Sequence, residues 1–434
     1  MRKPRTSQAL VRGFFVWGAL LGHVRDAVIP KGHHLARPPL GLDPGPEPRD
    51  PLGERSHPVQ ASRMLLLIPG PVTTNPLVRA AAARDYAPWD NEFRALVARL
   101  RARVLALAGG REGEHAALPL QGSGHFAIEA ALRSLVPAGG GVLLPMTGQY
   151  ADRLARLATE AGRRVVPLPV SPVERARPEA VADALAADAG LSHLAIVYSE
   201  TATGIVHDAP ALAAAAGRLG RRVLIDAVSA FGALPLDLSA LPMVDAACFT
   251  TGKCLEGLPG ASFVVARTDR LLDARGRAGS WTLDLADIHA HGLRHGPGSH
   301  RFTPAAGVLA ALDAALDLHD AEGGPPARLA RYAANMRALY DGARALGLRP
   351  TLPPSVQGPI VVNVDAPADP AWNLQAFVDA LKRRGVLISN FHCTEQPSFR
   401  VGCIGAVTPD DMRRAVAAMG EALDELGIRA RQAA

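Results

Sequence analysis

The chain has 434 residues, 48 % hydrophobic and 20 % charged; that balance excludes a disordered or low-complexity protein and leaves room for two domains around a sizeable core. Its formal charge of +6 comes largely from arginines scattered through alanine-rich segments, which excludes the clustered basic face of a nucleic-acid binder. Four cysteines (Cys248, Cys254, Cys393, Cys403) form no CxxC pair, and no apolar run is long enough for a bilayer; the expectation is a cytoplasmic protein with reduced thiols and no membrane contact.

Arg2, Lys3, Arg5 and Arg12 precede a short apolar stretch that superficially resembles a signal peptide but lacks a small-x-small cleavage site. Eight prolines then fall between Pro30 and Pro58. Such a segment buries too little apolar surface to offset its ordering entropy, so residues 1–63 are expected to be a disordered extension. Folding is expected to begin at Met64, where an apolar run breaks on Pro69-Gly70-Pro71 and leads to the hydroxyls of Thr73 and Thr74. The spacing of Phe93, Leu96, Val97, Leu100, Val104 and Leu107 predicts an amphipathic helix over 91–107.

Gln121-Gly122-Ser123-Gly124-His125 then runs into a predicted helix over 126–135. Glycines let backbone N–H groups approach an anion, and a helix N-terminus adds its positive dipole end. No Lys-Ser/Thr follows, so this is not a P-loop, and a Gly-Ser-Gly turn alone is common. Strand and helix alternate from there: strands near 142–144, 164–166, 194–198 and 223–226, with helices over 150–161, 178–187 and 210–219. The pattern predicts an α/β fold, a mostly parallel sheet with helices on both faces. Polar groups gather just past the strand ends (Tyr150, Ser199-Glu200-Thr201, Asp226), the usual ligand edge of such a sheet.

Asp226 closes a run of apolar β-formers, and Lys253 sits on a Gly/Pro-rich corner between the apolar runs 244–250 and 261–266. Lysine is strongly hydrated, so one held at such a corner can be desolvated and act as a free amine; it can equally be a surface residue on a turn. Asp226 can likewise be a helix cap. An amine for a Schiff base and an acid facing a pyridinium nitrogen are the pair that pyridoxal phosphate chemistry needs. His289, His291, His295 and His300 fall in a stretch read as a Gly/Pro-rich loop over 283–303, and without a cysteine partner they are expected to bind no metal. Gly323-Gly324-Pro325-Pro326 marks a boundary, giving a large unit over 64–322 and a small α+β unit over 323–434. In the latter, Arg400 lies inside an apolar strand, where its planar fork needs either a substrate anion or a structural ion pair.

Taken in order, these motifs resemble the class V, fold-type I aminotransferases that use pyridoxal phosphate. The resemblance rests on Pro69-Gly70-Pro71-Val72-Thr73-Thr74, Trp89-Asp90, Leu120-Gln121-Gly122-Ser123-Gly124, Ser199-Glu200-Thr201-Ala202-Thr203-Gly204, Asp226-Ala227-Val228-Ser229, Lys253-Cys254, Arg301-Phe302-Thr303-Pro304 and Phe399-Arg400-Val401-Gly402. It is strongest to the branch that moves the amine of 2-aminoethylphosphonate to pyruvate, giving phosphonoacetaldehyde and L-alanine. The resemblance implies that Lys253 holds the cofactor and moves a proton while Asp226 pairs with the ring nitrogen. Ser123, Gly124 and His125 would bind the phosphate, Tyr150 and Val228 would flank the ring, and Thr201 would approach its hydroxyl. Thr303 would reach the partner subunit's cofactor in a homodimer. Arg400 would clamp the substrate's acidic end, with Thr73, Thr74 and Arg301 as further candidates.

Three positions depart from the family pattern: Gly252 where an amide or imidazole is usual, His125 after Gly124, and Ala305-Ala306-Gly307 after the Arg-Phe-Thr-Pro run. They keep open an alanine–glyoxylate or serine–pyruvate type of activity, a cysteine desulfurase using Cys393, and a cofactor-binding protein without catalysis.

Overall fold

A computed structural model describes residues 64–429; the expectation for 1–63 lies outside the described residues. The chain starts with β1 (Leu65–Leu66), α1 (Pro76–Ala82) and α2 (Asn91–Leu107), then β2 (His115–Gln121) and α3 (Gly124–Leu135). Strand and helix alternate through β3 (Gly141–Met146), α4 (Gln149–Glu160), β4 (Arg164–Pro169), α5 (Pro178–Ala187) and β5 (Leu191–Val197). A two-stranded ribbon, β6 (Ser199–Glu200) and β7 (Ile205–Val206), precedes α6 (Ala209–Arg218) and the strands β8 (Arg222–Asp226), β9 (Val244–Thr250) and β10 (Ala261–Arg267). Four helices follow: α7 (Thr268–Asp273), α8 (Leu285–His295), α9 (Ala306–Glu322) and α10 (Gly324–Ala345). The chain ends with β11 (Val361–Asp365), α11 (Leu374–Arg383), β12 (Val386–Leu387), β13 (Ser398–Gly402) and α12 (Pro409–Glu425).

Seven strands form one sheet in the order β2-β10-β9-β8-β5-β3-β4. Its inner pairs are parallel, and β10 runs antiparallel to both β2 and β9. Side chains alternate across the strands, so Ile225, Phe249 and Val265 enter one buried cluster. Their neighbours Leu224, Cys248 and Val264 enter a second. Both faces are therefore covered, as continuous apolar strands require. Phe249 is sandwiched between Phe231 and Phe263, at 3.7 and 5.5 Å between ring centroids; each such buried side chain contributes about 1.5–3 kcal/mol. A third cluster belongs to α10, α11, α12, β11 and β13, and Leu65 and Leu67 join it. The first strand thus pairs in parallel with β12, Leu65 beside Val386, and not with the large sheet that it precedes in sequence.

The 283–303 stretch is not a loop. Asp284 caps α8 by accepting from the Asp287 N–H, and the helix runs to Gly296 at φ +91°. His289, His291 and His295 lie on it, the last two one turn apart with ring centroids at 4.5 Å and planes tilted by 44°. Gly296, Pro297 and Gly298, which suggested a loop, lie beyond its end, while Gly292 lies inside the helix; the Asp284 cap was the missed signal. Among the described residues, no group of His, Cys, Asp and Glu is placed to hold a metal ion, and no helix is long and apolar enough to cross a membrane.

Candidate active site

Three strand ends and one helix start converge at the carboxyl edge of the sheet. β8 delivers Asp226, a buried carboxyl whose Oδ1 accepts from the Val228 N–H at 2.9 Å. Burial lifts its pKa to about 6 against that bond and the nearby Lys253 amine. β9 delivers Lys253 on the 251–260 corner, closed where Gly257 N–H donates to Thr251 O and Glu256 N–H donates to Lys253 O. Lys253 Nζ donates to Pro69 O at 2.7 Å. Burial lowers the pKa of this amine and the Arg400 charge lowers it further, while Tyr150, Cys254 and Asp226 oppose both. The amine is thus disposed to lose its proton, as a nucleophile or base must.

Two glycines shape the corner. Gly70 stands at φ +148°, and a Cβ there would lie 2.5 Å from Lys253 Cε, so only glycine leaves the lysine its path. A Cβ on Gly252 would meet Pro259 N at 3.0 Å. Close packing on that proline backbone accounts for the absent side chain. Gly307 is close-packed in the same way, where a Cβ would lie 2.9 Å from Ala82 O, so the small residues of 305–307 let α9 approach α1.

The turn before α3 is tied to the lysine corner, since Gly122 N–H donates to Gly260 O at 2.9 Å. Ser123 is the N-cap of α3, and its side chain makes no capping bond. Gly124 rests against Val228, where a Cβ would lie 2.3 Å from Cγ2. His125 lies 6.2 Å from Tyr150 in a stacked arrangement. Burial, Arg153 and Lys253 lower its pKa and keep it neutral. An N-terminus with free donors, opposed by a neutral ring, suits a phosphate.

Arg400 is 1 % exposed. Its Nη1 donates to Thr201 O at 3.0 Å, its guanidinium lies 4.9 Å from the Phe391 ring centroid, and its buried Nε has no partner in the protein. A buried N–H without an acceptor is costly, so it marks a place for a ligand anion. Arg400 and Tyr150 line a cavity of about 400 Å³ with Gly70, Ser389 and Phe391. The Thr201 hydroxyl is buried and also lacks a partner.

Other expected residues are committed elsewhere. The Thr73 hydroxyl donates to Leu66 O and accepts from Leu66 N–H, which leaves it no proton for a substrate anion. Thr74 Oγ1 accepts from Arg79. Arg301 donates to Trp281 O and Thr282 O and pairs with Asp287. Thr303 is exposed at the surface beside the α3 turn, its carbonyl accepting from Gln121 Nε2. The Cys393 thiol donates to Gln149 Oε1 at 3.0 Å, and burial raises its pKa against Arg400 and Arg153, the reverse of an activated nucleophile.

The sequence reading placed Glu200 at the ligand edge but gave it no role. Its carboxyl is buried, accepts from Tyr150 N–H at 3.2 Å and Ala202 N–H at 2.9 Å, and is pushed by burial up to about 7. It serves the start of α4, where Gly148 has no side chain to cap with. Its place in a Ser-Glu-Thr run after a strand was the available signal.

The comparisons agree with this geometry. The aminotransferase class-V family model matches residues 78–407. The chain is similar to 2-aminoethylphosphonate–pyruvate transaminases of Burkholderia ambifaria (44 % identity, 84 % of this chain and 96 % of the relative) and Burkholderia pseudomallei (45 %, 85 % and 98 %). It also resembles the solved pyridoxamine–pyruvate aminotransferase of Mesorhizobium loti, with a TM-score of 0.77 at 25 % identity over 86 % of this chain and 94 % of that one. The unpartnered Thr201 hydroxyl, the free α3 terminus, the buried Asp226 and the desolvated amine fit pyridoxal phosphate. The chain belongs to the class-V aminotransferases, whose cofactor is pyridoxal phosphate.

Proposed function

We propose that the chain transfers the amino group of 2-aminoethylphosphonate to pyruvate, releasing phosphonoacetaldehyde and L-alanine, in two half-reactions at one site. The observation that carries this reading is the convergence of the Lys253 amine, the Asp226 carboxyl and the unpartnered Arg400 Nε at one edge of the sheet. The names of the relatives, at 44 and 45 % identity, add support for the donor and the acceptor.

Bound pyridoxal phosphate supplies an aldehyde for the amine and a ring that withdraws the electrons of the broken C–H bond. Lys253 Nζ binds the cofactor, then takes the proton from the amine-bearing carbon of the donor; in the second half-reaction it delivers one to C2 of the pyruvate skeleton. Asp226 holds the proton at the ring nitrogen. Ser123, Gly124 and His125 receive the phosphate at the start of α3, Tyr150 and Val228 flank the ring, and Thr201 meets its hydroxyl. Arg400 binds the phosphonate in one half-reaction and the carboxylate in the other, which one fork serves because both are oxyanions. Thr303, exposed on its own chain, reaches the phosphate of a second copy, so the working unit is a homodimer.

The test is the visible absorbance of purified holoenzyme. Addition of 2-aminoethylphosphonate without acceptor should bleach it, and pyruvate should restore it. Bleaching by alanine or serine together with indifference to the aminophosphonate would overturn the reading in favour of a carboxylate amino donor.

A further inference from the structure

One face of α10 touches both ends of the active site. Arg328, Arg331, Tyr332 and Asn335 follow one another at helical spacing, and Arg328, Tyr332 and Asn335 are almost wholly buried. Toward the lysine corner, Arg328 Nη1 donates to Cys254 O at 2.6 Å, and the Tyr332 hydroxyl lies 3.2 Å from the same carbonyl and 2.6 Å from Glu256 Oε1. Arg331 pairs with that Glu256 carboxyl at 2.7 Å. Glu256 stands at φ +60°, an arrangement that costs about 1–2 kcal/mol outside glycine and is held here by its three partners. Toward the substrate end, Arg331 Nη1 donates to Gly405 O and Val407 O, and Asn335 Nδ2 donates to Cys403 O and Val407 O.

This face and the Pro69 segment both tie the two ends together, and Cys254 and Ile404 share one small buried cluster with Tyr332. Cys254 directly follows Lys253, and Cys403 lies three residues beyond Arg400. Gly402 N–H donates to Leu67 O, just before Pro69, whose carbonyl takes the Lys253 amine. Buried ion pairs seldom add net stability, but a fully bonded network fixes one arrangement of the parts it joins.

We propose that this face of α10 sets the distance between the Lys253 amine and the Arg400 guanidinium, and so selects the number of carbons between the amine and the acid of the donor. The inference rests on the proposed function, in which both groups act on one substrate. A misplacement of about 1 Å costs about 10²-fold in rate, and one added methylene is a step of that size. Tyr332 is a positioning residue here, since its hydroxyl meets the Cys254 carbonyl and accepts from Gly405 N–H at 3.4 Å, and it reaches no reacting atom.

The experiment compares kcat/KM of the holoenzyme for 2-aminoethylphosphonate and 3-aminopropylphosphonate with pyruvate, alongside Tm. In Tyr332→Phe, which loses the hydroxyl shared by both backbones, the preference for the two-carbon donor should fall at least about tenfold, mostly through kcat. Glu256→Gln should lower it in the same direction, and it takes over the test if the first variant does not fold. Leu339→Ala, two turns along α10 in the apolar cluster, should lower Tm and leave the preference unchanged. An unchanged preference in Tyr332→Phe and Glu256→Gln, or an equal change in Leu339→Ala, overturns the inference. If the wild type turns over neither phosphonate, the proposed function fails instead, and the same ratio taken between alanine and β-alanine decides the inference alone.

Discussion

Two buried aspartates mark opposite ends of the same sheet. Asp245, at the start of β9, is fully bonded: His193 Nε2 lies 3.1 Å from it, and Arg222 and Arg270 reach the same carboxyl. Burial alone would raise its pKa, but His193 and Arg222 outweigh burial and hold it below the usual carboxylate value. Asp226, at the end of β8, has one backbone N–H and is lifted to about 6. The same side chain, buried in both places, is a satisfied structural anion at one end and an unsatisfied one at the other. An unsatisfied buried group is available to a ligand; a satisfied one is available only to the fold.

The contrast breaks first at the functional end. Lys253→Ala should cost at least about 10⁴-fold in turnover, the upper range for a positioned base, with an unchanged circular dichroism spectrum. Turnover within tenfold of wild type would refute its role. At the other end, Asp245→Asn should lose about 3 kcal/mol in urea unfolding, because it leaves the partly buried Arg222 and Arg270 without their carboxylate. Turnover per folded molecule should stay within about twofold; a larger loss would mean that the two ends are coupled.

The pH dependence sharpens the comparison. Asp226 binds its proton more tightly folded than unfolded, so its contribution to stability is greatest below about pH 4 and falls as pH rises through about 6. A shift of about two units corresponds to about 3 kcal/mol. Asp245 works in the opposite sense, contributing above its unfolded pKa and losing that contribution as acid protonates it. In cofactor-free protein, Asp226→Asn should therefore flatten the fall in Tm between about pH 4 and pH 7. A variant less stable than wild type at neutral pH would contradict this. The smallest effect is expected of Gly70→Ala, whose methyl would displace Lys253 and put alanine in a backbone region it rarely adopts; a loss of about 10²-fold in kcat with a lowered Tm would be read from steady-state kinetics and thermal unfolding.

Much of this was legible beforehand. The apolar runs ending in Asp226 and Thr250 lie where expected, because buried parallel strands carry an unbroken signal, and the Lys253 corner announces itself through Gly252, Gly257 and Pro259. A hydroxyl such as that of Thr73 does not show in sequence the Leu66 backbone it bonds. The stripe of Arg328, Arg331, Tyr332 and Asn335 reads in sequence as a solvated helix face. Only the packed structure shows it buried against two distant backbones. Glu256 was invisible for the same reason. Local pattern carries elements and corners, whereas bonds between remote segments depend on the tertiary fold.

The pairing of β1 with β12 has a consequence for biosynthesis. Leu65 leaves the ribosome before Val386, its partner roughly 320 residues later, so this contact waits for both to be made. A nascent chain already carrying Asp226 and Lys253 still lacks Arg400 and cannot anchor the segment whose Pro69 carbonyl takes the lysine amine. A chain truncated before Ser398 would therefore carry Asp226 and Lys253 without the strand that holds Arg400.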